Sequence, residues 1–177
     1  MTFKGIIAAL WKRVEEVPTD DVFLLKGNIE TVSDEVRFYK EMGKRVFVDM
    51  DFVEGLGDGE YAIRFLKNRA DVDGIITVKL KNYLAARKLS IPAILRFFAL
   101  DSRAVEKGIS QIESNNVEIV EVLPGIAVFK FVKRLKRRNF NLIAAGLIDE
   151  EDEAKELLKV ADAISTSSES LWYMRGV

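Results

Sequence analysis

Short apolar runs with β-branched or aromatic content recur along the chain, and each is followed by a stretch in which apolar positions return every three to four residues. The runs predict eight strands, at 4–9, 21–25, 45–50, 73–77, 92–97, 117–122, 141–145 and 162–166. Helical spacing predicts helices at 31–42, 60–70, 80–89, 101–115, 126–138 and 150–160, with a short terminal one at 168–173, while 11–17 has room for barely a turn. Start and stop signals agree with this division. Thr31, Ser33 and Asp34 offer N-cap oxygens and an acidic first turn, Asp101 and Ser102 do the same ahead of Val105, Ile109 and Ile112, and Gly43 before Lys44 and Arg45 suits a C-cap. Near-continuous apolar strands such as Val46-Phe47-Val48 suit parallel strands covered on both faces.

The alternation therefore reads as α/β, a compact (β/α)8 barrel of parallel strands inside an outer ring of helices; an open doubly wound sheet presents the same string and is the alternative. At about 22 residues per unit there is just room for a strand, a helix and two short loops. Neither low complexity nor a Pro/Gly/Ser-rich linker interrupts the pattern, so one domain is expected over 1–177.

Composition removes whole classes of chemistry. With 49% apolar and 31% charged residues in 177 the chain is that of an ordinary globular domain. No stretch approaches the ~20 apolar residues of a membrane helix, and residues 1–10 are too short and too weakly charged for a secretory signal, so a cytoplasmic location and no membrane partner are expected. Cys 0 and His 0 exclude disulfides, thiol chemistry, an imidazole base and a Cys/His zinc site. Lys+Arg 27 against Asp+Glu 28 gives a net charge of −1, so nucleic-acid binding would need a local basic patch.

In barrels and open α/β sheets ligands meet the loops that follow the strands' carboxyl ends, and polar residues collect there. Asp49-Met50-Asp51 closes the third unit and runs into Glu54, Gly55, Gly57, Asp58 and Gly59; the fourth ends at Lys79, the fifth at Arg96, the sixth at Glu121 and Gly125. Asp49 and Asp51, two apart on a strand, would share a face with Phe47; with Glu54 they suit either a divalent cation or the backbone amides of the loop, and no metal or other cofactor is expected. Lys79 is either an anion contact or a Schiff-base amine, and Glu121 either meets a ligand or pairs with Lys79 or Arg96. Gly146-Leu147 after the seventh strand and Ser165-Thr166-Ser167 after the eighth combine small residues, hydroxyls and helix starts, which phosphate recognition requires; a plain turn and a plain helix cap are the alternatives. The run Lys130–Arg138 has five cations in its last six positions. On a helix that buries Phe131 and Leu135 it would expose Lys130, Lys133, Arg134, Arg137 and Arg138, either as a solvated face or as an RNA contact.

The ordered segments VFLLKGNI (22–29), GKRVFVDMDFVEGLG (43–57), DGIITVK (73–79), LRFFALDS (95–102), GISQIE (108–113), VEVLPG (120–125), AAGLI (144–148) and STSSESLW (165–172) resemble the bacterial glycerol-3-phosphate-responsive antiterminator proteins over nearly the whole chain. The resemblance implies a TIM-barrel fold, glycerol 3-phosphate as ligand and leader messenger RNA of glycerol-utilisation genes as partner. Carried over by position, the ligand-loop residues are Asp51, Glu54, Gly55, Gly57, Lys79, Arg96, Glu121, Gly125, Gly146, Ser165, Thr166 and Ser167.

This chain departs from that pattern at Asp49, where the family tends to have His, at Leu95 for Gln, at Ala145 for Gly, and around Trp11, where an arginine is expected. An added carboxylate near a phosphate opposes binding unless a cation offsets it. Three functions therefore stand beside one another. The first is a noncatalytic regulator that binds a phosphorylated polyol and leader RNA, with assembly into a homo-oligomer open. The second is a barrel lyase or isomerase acting on a sugar or polyol phosphate through Lys79 or a carboxylate, and the third is a diverged relative without RNA regulation.

Overall fold

The structure, a computed structural model, describes residues 1–174, so the last three positions of the expected 1–177 domain lie outside the described residues. In chain order its elements are β1 Gly5–Leu10, β2 Asp21–Leu24, β3 Gly27–Asn28, α1 Val32–Glu41, β4 Arg45–Asp49, β5 Val53–Glu54, α2 Glu60–Asn68 and β6 Gly74–Thr77. There follow α3 Leu80–Lys88, β7 Ala93–Phe98, α4 Ser102–Ser114, β8 Ile119–Leu123, α5 Val128–Arg134, β9 Asn141–Ala145, α6 Glu151–Leu158 and β10 Ala163–Thr166. The eight strands read from the apolar runs close into one all-parallel barrel in the order β1-β10-β9-β8-β7-β6-β4-β2. A TIM barrel is therefore the fold, and the open sheet is excluded. Strands such as β2, β6 and β10 are buried at every position, which is why they read as unbroken apolar runs.

The chain divides into two compact halves. In the half spanning Ile7–Leu95, β2 and β4 pair with Phe23 opposite Phe47, and their rings meet edge-on at 5.8 Å. The segment between β1 and β2 forms no helix. Instead Tyr39 of α1, fully buried, accepts the Val14 N–H at 2.9 Å and donates its hydroxyl to Val14 O at 3.2 Å, so one phenol secures that connection. β3 and β5 add a two-stranded ribbon, Gly27 opposite Val53 and Asn28 opposite Glu54. Nothing in the apolar pattern signals it, because a two-residue strand has no period.

In the half made of residues 1–6 and those from Arg96 onward, Phe131 is buried against Phe97 and Phe140 at ring distances of 5.9 and 6.3 Å. Asn141 accepts the Phe3 N–H and donates to Phe3 O, fastening the chain's start to β9. Asp101 caps α4 as expected, its Oδ1 accepting the Ala104 N–H at 2.7 Å. Asp101→Ala is expected to cost about 1 kcal/mol, read as a fall of roughly 2–4 °C in melting temperature. Thr31 differs: it stands at the N-cap of α1 without a capping bond, and its hydroxyl donates to Asn28 Oδ1 instead.

Two helix predictions require correction. The helix expected over 126–138 is a 3-10 turn at Gly125–Ala127 followed by α5, which ends at Arg134 because Leu135 turns extended. The terminal helix is a 3-10 segment, Glu169–Tyr173. Among the described residues no helix is long and apolar enough to cross a membrane.

Candidate functional site

In the half that begins at Arg96 the site is built on β7, β8, β9 and β10. Arg96 and Glu121 stand on neighbouring strands, and both are buried. Arg96 Nε donates to Glu121 Oε2 at 2.6 Å, so of the two partners the sequence allowed for Glu121 the structure selects arginine. Glu121 itself is 0% exposed and its other oxygen, Oε1, is buried without a hydrogen bond from any described residue. A buried carboxylate oxygen left in that state costs about 1–3 kcal/mol, so it marks a place where a donor is wanted.

Beyond these side chains the loops after β8 and β9 are joined by the Gly125 N–H donating to Gly146 O at 2.9 Å. Glycine is needed at both ends of this bond. A Cβ on Gly125 would lie 2.8 Å from Ile148 Cδ1, and Gly146, at φ +76°, would bring one to 3.2 Å from Leu123 Cδ2. β9 and β10 pair with Ala145 opposite Ser165, so the Gly146-Leu147 and Ser165-Thr166-Ser167 segments leave adjacent strands side by side. Ser165 is buried and Ser167 exposed.

Thr166, expected at the anion, is also used by the loop itself. Its hydroxyl donates to Ile148 O at 2.6 Å and accepts the Ser168 N–H at 3.0 Å, while its carbonyl accepts the Trp172 Nε1–H at 2.9 Å. Nor does the start of α6 offer an open dipole, because Glu151, Asp152 and Glu153 already occupy its first turn.

In the half that ends at Leu95 the acidic residues behave differently from a metal cradle. β4 stops at Asp49 and Met50–Phe52 coil into a 3-10 turn, so Asp49 and Asp51 do not share a strand face as expected. Asp49, buried, accepts the Asp51 N–H at 3.1 Å, which is the backbone-amide alternative. Asp51 in turn accepts the Val78 N–H at 2.7 Å and the Thr77 hydroxyl at 3.0 Å. Glu54, on β5, lines a cleft of about 310 Å³ with Trp11 and Lys26 and shares an adjoining one of about 350 Å³ with Asp51; Gly55 and Gly57 are exposed in the loop that follows. Among the described residues no group of three metal-binding side chains is placed to hold an ion.

Lys79 meets Asp58 at 2.8 Å and Asp51 at 3.5 Å. Its hydrogen bond to Asp58 raises the Lys79 amine above the ordinary lysine range despite some desolvation, and the same bond, with those from Lys81 and Asn82, holds the Asp58 carboxyl well below its usual value. The fully buried Asn82, which accepts the Gly59 N–H and donates to Asp58, is a residue that sequence reasoning missed, as are the bonds made by Asp58 and Thr77. Only the crowding of Gly57, Asp58 and Gly59 ahead of a helix hinted at them.

The basic run is less uniform than a single helical face. Lys130, Lys133 and Arg134 lie on α5, but Arg137 and Arg138 follow its end. Arg134 donates to Ser102 O and Oγ at 3.2 and 3.1 Å, and Arg138 to Val160 O and Asp162 at 2.8 and 2.9 Å. At least two of the five cations thus have intramolecular work.

Comparison with known proteins adds an independent line. The family model described as glycerol-3-phosphate responsive antiterminator matches residues 6–172. The crystal structure of a glycerol uptake operon antiterminator-related protein of Thermotoga maritima is similar at 55% identity and TM-score 0.93, covering 98% of this chain and 100% of its own. That of the glycerol uptake operon antiterminator regulatory protein of Listeria monocytogenes is similar at 29% identity and TM-score 0.85, covering 95% and 94%. The uncharacterized protein YgcP of Escherichia coli is 34% identical over 154 residues, 85% of this chain and 80% of its own length. Orotidine 5′-phosphate decarboxylase of Pyrococcus horikoshii, at 19% identity and TM-score 0.66, shares the fold.

Proposed function

This chain belongs to the glycerol-3-phosphate responsive antiterminator family, and from that premise we propose that it is a cytoplasmic regulator which binds glycerol 3-phosphate and, when occupied, a leader messenger RNA. The observation that carries the ligand half of this reading is Glu121 Oε1, a buried acceptor without a donor. A polyol hydroxyl supplies that donor. The phosphate is assigned to the amides of Gly146 and Leu147 and the hydroxyls of Ser165 and Ser167, whose segments leave adjacent strands. Lys79 is already matched by two carboxylates, so the phosphate is not assigned to the half that contains it.

Titration calorimetry with glycerol 3-phosphate, glycerol and inorganic phosphate tests this. Glycerol 3-phosphate is expected to bind more tightly than either fragment, and Ser165→Ala to weaken it by roughly tenfold, the worth of one charge-assisted hydrogen bond. No heat at millimolar glycerol 3-phosphate overturns the reading. Occupancy acts on RNA only as far as the ligand prefers the RNA-binding conformation, so a gel shift with and without ligand tests the second half. The rival barrel lyase with a Schiff-base lysine is disfavoured by the charge state of Lys79, because a nucleophilic amine needs its proton removed and Asp58 holds it on.

A further inference from the structure

Single apolar side chains in solvent are ordinary on soluble proteins, but in the half that begins at Arg96 four gather at consecutive strand ends. Phe98, the last residue of β7, is 43% exposed and Leu100 after it 79%, Ile126 58% after β8, and Leu147 80% after β9. Backbone bonds hold them side by side. The Ala99 N–H, between Phe98 and Leu100, donates to Leu123 O at 2.7 Å, and the Gly125 N–H, next to Ile126, donates to Gly146 O, next to Leu147. Leu147 also has φ +57°, a conformation in which Gly or Asn is less strained than leucine. Its side chain is neither needed by the interior nor favoured by the backbone.

Charge is sorted along the same rim. α5 carries Lys130, Lys133 and Arg134 and no acid, whereas Asp149, Glu150, Glu151, Asp152 and Glu153 run unbroken from the loop after β9 into α6. Opposite charge on these two elements of one chain suits contact with the same surface of a second copy, basic helix against acidic turn. We propose that Phe98, Leu100, Ile126 and Leu147 form the contact surface of a symmetric pair of copies of this chain. The inference goes beyond the ligand reading and needs no ligand.

Sedimentation of the ligand-free protein tests it. The wild type is expected to sediment at twice the monomer mass at about 50 µM, and Leu100→Asp with Leu147→Asn, both at exposed positions, to halve that mass and raise the dissociation constant at least about 100-fold with little change in melting temperature. Lys130→Glu is expected to weaken pairing several-fold, and adding Glu150→Lys to the same chain to restore it, because the proposed pairing sets the basic helix against the acidic turn. A monomeric wild type at that concentration, a rim variant with the wild-type mass, or failure of the charge swap to restore pairing overturns the proposal. So does a monomeric wild type whose rim variant loses only RNA retention, which would give the face to nucleic acid. Glycerol 3-phosphate binding is read separately, by calorimetry on the wild type, so that a failure of pairing and a failure of the ligand reading are distinguishable.

Discussion

Glu121→Ala is expected to lower stability by about 3–5 kcal/mol, the cost of removing one partner of a buried ion pair. For a chain of this length that corresponds to a fall of roughly 8–15 °C in melting temperature. The size follows from burial: the side chains of Arg96 and Glu121 are 5% and 0% exposed, so solvent neither screens the pair nor replaces the lost partner. Removing both charges separates attraction from desolvation. Arg96→Met with Glu121→Leu is expected to recover most of the loss, since well-packed apolar groups avoid the cost of burying two ions, yet the double variant loses the acceptor assigned to the polyol. Urea or thermal unfolding of the single and double variants measures this. A single variant within about 1 kcal/mol of wild type would show that the pair is solvated, contrary to its burial.

Trp172→Ala is expected to be comparably severe, at about 3–5 kcal/mol for deleting a buried indole. Trp172 is buried and its Nε1–H closes on Thr166 O, while the Thr166 hydroxyl reaches Ile148 O in the loop after β9. The indole therefore braces both segments assigned to the phosphate, and ligand affinity is expected to fall together with stability. Trp172→Phe retains most of the apolar volume and loses only the hydrogen bond, so about 1–3 kcal/mol is expected. Equal losses for the two variants in an unfolding experiment would show that packing contributes little at this position.

How far the fold was legible depends on where water lies. Parallel barrel strands are covered on both faces, so β2, β4, β6, β9 and β10 each read as an apolar run; eight such runs suit a barrel or an open sheet, and only the structure's strand order closes the ring. Whether the chain coils at a strand end is not written in that way. Asp49 and Asp51 look like a same-face pair at period two, yet the backbone enters a 3-10 turn at Met50 and the period no longer applies. Leu135 carries the helical spacing from Phe131, but α5 stops before it.

The site was legible in its residue types more than in its bonds. The sequence brought Arg96 and Glu121 to neighbouring strand ends, and only the structure distinguishes Arg96 from Lys79 as the partner. Thr166 resembles its neighbours Ser165 and Ser167 in composition, but the branched hydroxyl is turned to a carbonyl eighteen residues back in the chain. A pattern of residue types carries no sign of such a long-range bond. The departure at Asp49 is likewise explained by a local use: the carboxylate accepts a backbone amide within its own turn.

The hydrogen bond between Gly125 and Gly146 makes the loops after β8 and β9 a single lever. Anything that settles on Gly146 is therefore felt at Ile126 and Leu147, and free-energy linkage makes that influence reciprocal. Were the proposed ligand and the proposed pairing both to hold, metabolite concentration and protein concentration would act as two inputs to the same equilibrium.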